Sequence, residues 1–247
     1  MRVLVISDIH GNYDALKAVL NHAKRYDYVW VLGDLVDYGP EPHLVVDAIK
    51  NLKPDVIIRG NHDHANAFNA DCGSAKELHD ISVYTREYIS RKYLSREQVM
   101  WLRDLPIKVE LELGGKSFYI VHASPLNPLH GYLRLTSISR ERLIEMLRDH
   151  ESGKLISSDV VVVGHTHIYI NEYLEGLGVK ILNPGSVGQP RDGNPMPSYI
   201  ILDLDRNIVE NYRVKYEVEK VILKLKELIK RKDYLEKLIK LLLLGSI

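Results

Sequence analysis

The chain has 247 residues, 45% hydrophobic and 27% charged, with Lys plus Arg and Asp plus Glu balanced at 33 each. That length suits one large globular domain or two small ones with a sizeable core, and the zero net charge supplies no field that would draw nucleic acid or an acidic membrane surface. The single cysteine, Cys72, excludes an internal disulfide framework and a multi-cysteine metal site. The N-terminal apolar run is too short for a signal-peptide core, and no run approaches the roughly 20 residues of a membrane span, so a cytoplasmic protein is expected.

Val3 to Ile6 is a continuous, mostly β-branched run, which reads as a strand buried on both faces. It ends in Ser7-Asp8-Ile9-His10-Gly11-Asn12, and a helical pattern begins with Ala15, Leu16, Val19 and Leu20. Tyr28 to Leu32 is a second such strand, ending in Gly33-Asp34-Leu35-Val36-Asp37-Tyr38-Gly39-Pro40 before a helix that carries Leu44, Val45, Ala48, Ile49 and Leu52. Val56 to Ile58 is a third, running into Arg59-Gly60-Asn61-His62-Asp63-His64. Three short-linked β–α units predict parallel strands with right-handed crossovers and all three polar tips at one carboxyl edge.

Residues 65–105 read as a helical insertion packed over that edge, with Ser95 and Gln98 forming a capping box before Val99. Its tyrosines, Tyr84, Tyr88 and Tyr93, read as a packing face, and they would also serve to stack a base or aryl ring. Lys108 to Leu113 and Ser117 to Val121 alternate around Gly114-Gly115 as a hairpin, the second strand ending in His122-Ala123-Ser124-Pro125. A helix is expected over 138–150. Asp159 to Val163 is a strand ending in Gly164-His165-Thr166-His167, and further strands are expected at 168–174, 179–182, 198–204 and 208–214. The tail, 217–244, carries apolar residues at three- and four-residue spacing with lysines opposite, an amphipathic helix for which Asp233 marks a break. Its apolar stripe would dock on the chain's own body or on a sister copy in a homo-oligomer, ahead of a membrane surface.

The strand ends collect Asp8 and His10, Asp34 and Asp37, Asn61 with His62 and Asp63, His122, and His165 with His167. Asp8, His10, Asp34, Asn61, His122, His165 and His167 make seven O and N donors, more than one ion of coordination five or six uses. Two ions sharing a carboxylate would use them all. The absence of sulfur donors favours Mn²⁺, Fe or Zn²⁺ over copper or an iron–sulfur cluster.

The blocks D-x-H, G-D-x-x-D, G-N-H-D, V-H-x-S and G-H-x-H, in this order and spacing, resemble the calcineurin-like metallophosphoesterases over roughly the first 215 residues, and within them the small prokaryotic phosphodiesterases. The resemblance implies a four-layer αββα sandwich of two mixed β-sheets in domain 1–215, followed by the helical tail 216–247. It implies one metal on Asp8, His10, Asp34 and His167 and a second on Asp34, Asn61, His122 and His165, with Asp34 shared; manganese is expected first, with Fe, Zn, Ni or Co as alternatives. His62 matches the family's non-ligand catalytic histidine, and Asp63 is expected to orient it. The reaction implied is hydrolysis of a phosphodiester of a small-molecule or nucleotide substrate, by in-line attack of a metal-bridging hydroxide. A phosphomonoesterase, a nuclease and a non-catalytic scaffold of the retromer type are the alternatives.

Two positions depart from the protein-phosphatase pattern. Tyr38 stands where those enzymes and their diadenosine tetraphosphate-hydrolysing relatives carry arginine, and Asp63 stands where they carry glutamate. Arg191 is the expected substitute phosphate clamp, with Arg59 second. His22, His43, His64, His79, His130 and His150 have no motif support.

Overall fold

In the computed structural model, which describes residues 1–246, β1 (Arg2–Ile6) has Val3 to Ile6 without solvent exposure. Strands β2 (Tyr28–Val31) and β3 (Val56–Ile57) follow it in parallel, as the β–α pattern predicts. The other strands are β4 (Lys108–Leu113), β5 (Lys116–Val121), β6 (Val160–Val162), β7 (Tyr169–Leu174), β8 (Val179–Pro184), β9 (Ser198–Asp203) and β10 (Ile208–Arg213). They build two mixed five-stranded sheets, ordered β10-β9-β1-β2-β3 and β4-β5-β6-β8-β7.

Side-chain alternation decides the layers. Val3 and Val5 of β1, with Trp30, Ile200 and Leu202, meet Phe118, Ile120, Val160 and Val162 of the second sheet between the two sheets. Leu4 and Ile6 point the other way, onto helices α1 (Tyr13–His22) and α2 (Pro42–Leu52). The outer face of the second sheet packs Tyr119, Val161 and Ile181 against Leu133, Met146 and Leu147. The result is the expected four-layer sandwich of two mixed sheets with helices outside.

The insertion contains α3 (Asn61–Phe68) and α4 (Lys76–Thr85), which continues through a π-helical turn, Arg86–Ser90, into α5 (Arg91–Tyr93). It ends in α6 (Arg96–Asp104), where Ser95 and Gln98 form the expected capping box. The helix expected over 138–150 is shorter, α7 (Arg140–Met146). Asp149 ends that segment in a turn: its carboxylate accepts from the backbone N–H groups of Glu151 and Ser152, from Tyr119 and from Lys108. Such local bonds compete with helix continuation.

The tail is two helices, α8 (Val218–Leu228) and α9 (Lys232–Leu244), with the chain extended at Ile229 and Arg231. Asp233 falls in the first turn of α9, where a negative charge suits the helix dipole. The break lets Val221 and Leu225 share one apolar cluster with Leu238, Leu241 and Leu242, and the cluster is completed by Tyr38 and by Leu78, Ile81 and Ile89 of the insertion. Lys224 donates to Asp14 and Glu41, and the Gly245 carbonyl accepts the Gly193 N–H. The stripe therefore lies on the chain's own body; Leu223, Leu243 and Leu244 stay exposed. Among the described residues no helix is long and apolar enough to cross a membrane.

Leu238→Ala is expected to cost about 2–5 kcal/mol, the usual range for a buried leucine, in chemical denaturation of the full chain. A loss near zero would mean the tail is not part of the cooperative fold.

Candidate metal centre

The loops after β1 and β2 keep pairing beyond the strands: the Asp8 N–H donates to Gly33 O, and those of Ile9 and His10 to Asp34 O. Asp8, His10, Asp34, Asp37, Tyr38, His165 and His167 all have positive φ, between 48° and 66°. For an L-residue this conformation costs on the order of 1–2 kcal/mol, and here it is concentrated where side chains must turn into one space. The same crowding fixes Gly60, since a Cβ there would lie 2.1 Å from Asp34 Oδ1.

The structure brings all seven donors together, none more than 4% exposed. Asp8, His10, Asp34 and His167 form one group whose donor atoms lie within 4.8 Å of one another, and Asp34, His122 and His165 form a second. Asn61 Oδ1 is 3.1 Å from His122 Nε2 and 3.0 Å from His165 Nδ1, its amide being turned by donation from Nδ2 to Cys72 O at 2.7 Å. Asp34 Oδ1 accepts the His62 N–H, leaving Oδ2 to face His122 at 3.2 Å and His10 at 3.7 Å.

These residues fit a bound cation, and the fit rests on tautomers. His10 Nδ1 donates to Val36 O, His122 Nδ1 to Leu32 O and His167 Nδ1 to Gln189 O. A carbonyl only accepts, so each Nδ1 carries a proton and Nε2 is the atom each ring turns to the centre; on His10 and His167 it presents a lone pair, and on His122 it does so once the proton shared with Asp34 is lost. His10 and His167 then turn two lone pairs on each other across 3.2 Å, a repulsion that a cation between them relieves. Burial depresses His10 to about 3 and holds His165 and His167 well below the usual histidine range, so these rings are neutral donors. Burial also pushes Asp8 up to about 7, with Asp34 adding to it. Burial opposes charge on His122, but Asp34 outweighs it and raises that ring to about 9.

His62 lies beside the donors without joining either group, its ring 4.9 Å from that of His10. Burial disfavours its charge, yet the neighbouring Asp34 and Asp37 carboxylates more than offset this and hold it well above the usual histidine range. The carboxylate that orients it is Asp37, 2.9 Å from Nδ1, and not Asp63 as the resemblance led us to expect. Asp63 sits at N3 of α3, so its side chain turns back to accept the N–H groups of Gly60, Asp34 and Leu35. It fixes the Asp34 loop instead. Asp37 is itself held by Asn66 and Ser90 on one oxygen and by Arg86 Nε, at 3.2 Å, on the other.

The π-helical turn brings Arg86 and Ser90 onto Asp37 together. Neither residue, nor Asn66, is marked by any motif, and the burial that singles out Arg86 is not visible in the sequence. Arg191 is half-buried, with its backbone N–H on His167 O and Nη2 on Gln189 Oε1, and its charge acts on Asp8, His10, His165 and His167. Arg59 is turned away, bonded to Arg103 O and lying over the Phe68 ring. The insertion tyrosines are engaged elsewhere: Tyr84 with Tyr88 and Tyr234, and Tyr93 with His43. A cavity of about 760 Å³ runs along β7 beside Leu133 to Ser137 and reaches Thr166, between the two histidines of its loop.

Divalent-ion affinity is expected to rise from about pH 7 to 9, because the protons on Asp8 and His122 compete with the ion below those values. Calorimetry with Mn²⁺ in buffers of different ionisation enthalpy should show proton release, and Asp34→Asn should weaken both sites. One ion per chain at saturation would count against paired sites. Asp37→Asn should leave metal content unchanged, whereas Asp63→Asn, which unties three N–H groups, should lower stability by about 3 kcal/mol or more and metal content with it. Equal effects of the two variants on metal content would refute the division of roles.

Residues 1–207 match the model of the calcineurin-like phosphoesterase superfamily domain. The chain is 31% identical over 233 residues to an uncharacterised protein of Methanocaldococcus jannaschii, covering 88% of this chain and 89% of that one. It is 36% identical over 108 residues to a symmetrical bis(5'-nucleosyl)-tetraphosphatase of Buchnera aphidicola, a match spanning 42% of this chain and 38% of the relative. A metallophosphoesterase from Sphaerobacter thermophilus superimposes with a TM-score of 0.77 at 30% identity, covering 100% of this chain and 99% of that one. A hypothetical protein of Pyrococcus horikoshii shares the fold with a TM-score of 0.78 at 24% identity, covering 99% of this chain and 98% of its own. A family match over most of the chain, on a sandwich whose strand ends gather these carboxylates and imidazoles, means that the protein belongs to the calcineurin-like phosphoesterase superfamily.

Proposed function

We propose that the protein is a phosphodiesterase that uses two divalent ions, manganese first, on a small-molecule or nucleotide substrate. The observation that carries this reading is that two buried donor groups share Asp34 beside a non-ligating His62–Asp37 pair. Asp8, His10, Asp34 and His167 would hold one ion and Asp34, Asn61, His122 and His165 the other. When bound, the pair supplies an acidified water and positive charge against the phosphoryl oxygens.

The chain's own residues do the rest. His62 carries a proton at Nε2 for the departing oxygen, its Nδ1 being held by Asp37. Arg191 meets a phosphoryl oxygen from the His167 side. No serine or cysteine is needed as a covalent nucleophile. The absence of a fixed arginine at Tyr38 leaves less positive charge for a monoester dianion, which favours a diester monoanion. The cavity reaching Thr166 offers room for the non-reacting part of the substrate, in place of the insertion tyrosines. The name of the Buchnera relative puts dinucleoside polyphosphates among the candidates, although the match covers under half of either chain.

With Mn²⁺ loaded, bis(4-nitrophenyl) phosphate is expected to be cleaved with a higher kcat/KM than 4-nitrophenyl phosphate. His62→Ala should keep its metal and lose roughly 10²- to 10⁴-fold in kcat. Arg191→Ala should slow both esters. A clear preference for the monoester would overturn the diester assignment, and unchanged rates in Arg191→Ala would remove that residue from the site.

A further inference from the structure

Tyr38 is wedged between the two functions of the centre. Its ring meets that of His10 edge-on with centroids 5.0 Å apart, and lies tilted against that of His62, again at 5.0 Å. Its backbone is held at φ +62° by the insertion, where Thr85 Oγ1 accepts the Tyr38 N–H at 3.0 Å and Ser90 Oγ accepts that of Asp37 at 3.2 Å. The apolar part of the side chain is covered by Leu78, Ile81, Ile89, Val221 and Leu238. It is 2% exposed.

The hydroxyl is what packing leaves unexplained. Its oxygen is fully buried and has no hydrogen-bond partner. Ser74, the neighbouring hydroxyl, is engaged with Ser82 at 3.1 Å and with Cys72. Buried hydroxyls are nearly always paired, and leaving one unpaired is costly. Phenylalanine would fill the same space, make the same ring contacts with His10 and His62, and leave nothing unpaired. A tyrosine in this place makes sense if a partner arrives with the substrate.

We infer that Tyr38 is a catalytic residue whose hydroxyl donates a hydrogen bond to a non-bridging oxygen of the phosphodiester bound beside His10 and His62. The inference rests on the phosphodiesterase reading and deepens it. At this position the chain places a neutral O–H. A neutral donor steadies one oxygen of a monoanion without the surplus positive charge that rewards a dianion. Tyr38 and Arg191 then contact the phosphoryl group from different sides, the first with direction and the second with charge.

The test is Tyr38→Phe in the full-length protein. Relative to the unmodified chain, kcat/KM for bis(4-nitrophenyl) phosphate should fall roughly 10-fold or more, as for one hydrogen bond to a charged oxygen. The Mn²⁺ content should be unchanged, and the melting temperature of the metal-free protein unchanged or higher, because an unpaired buried hydroxyl is removed. Binding of inorganic phosphate to the Mn²⁺-loaded protein should weaken by a similar factor. Unchanged kcat/KM and phosphate affinity would overturn the inference while leaving the phosphodiesterase reading intact. A lowered melting temperature would also overturn it, since the hydroxyl would then be bonded within the fold. Inactivity of the unmodified, metal-loaded chain on both the diester and the monoester would instead overturn the phosphodiesterase reading.

Discussion

The fold and the site both depend on how the Asp34 carboxylate is immobilised. It has positive φ, the Cα of Gly60 packs against it, and one oxygen is committed to the His62 N–H, so the other is aimed at His10 and His122. The first two N–H groups of this loop end on Asp63, whose own backbone begins α3 and so ties the third strand end to the second. The carbonyl of Asp34 in turn accepts from the loop after β1. Three strand ends are locked through one residue. A buried carboxylate so constrained cannot relax away from its neighbours, and that is the preorganisation a cation site requires.

Three aspartates near this point do different work, and their surroundings set the difference. Asp34 keeps an oxygen free toward imidazoles. Asp37 spends both oxygens on His62, Arg86, Asn66 and Ser90, and burial, which would raise its pKa, is overcome by His62 and Arg86 so that it stays ionised. Asp63 spends its oxygens on backbone N–H groups. A carboxylate that accepts three N–H bonds is a structural anchor, whereas one that faces an imidazole sets the orientation and charge of that ring.

The insertion and the tail are the parts that distinguish this chain from a bare sandwich. They form a core of their own that includes Tyr38, and each also bonds to a loop beside the centre. The insertion supplies Arg86, Ser90 and Thr85 to the loop of Asp37 and Tyr38. The tail closes its last turn against Gly193, two residues beyond Arg191. Stability and site geometry are therefore coupled here: displacing the apolar stripe of α9 loosens the packing of a residue in ring contact with His10 and His62.

The sequence by itself determined the strands, the parallel arrangement of the first three, and the donor types at their ends. Buried β-branched runs that stop at polar blocks are short-range patterns, and the D-x-H and G-H-x-H spacings are readable because a strand end keeps neighbouring side chains in fixed relation. The capping box at Ser95 was equally local. The tertiary structure alone decided which carboxylate serves His62, because Asp37 and Asp63 are equivalent on paper and differ only in that Asp63 sits at N3 of a helix and turns back on its own loop. It also decided that the tail covers its own chain, and that a π-helical turn carries Arg86 to Asp37 across 49 residues. These outcomes rest on burial and on contacts between distant segments, for which a linear pattern of residue types carries no signal.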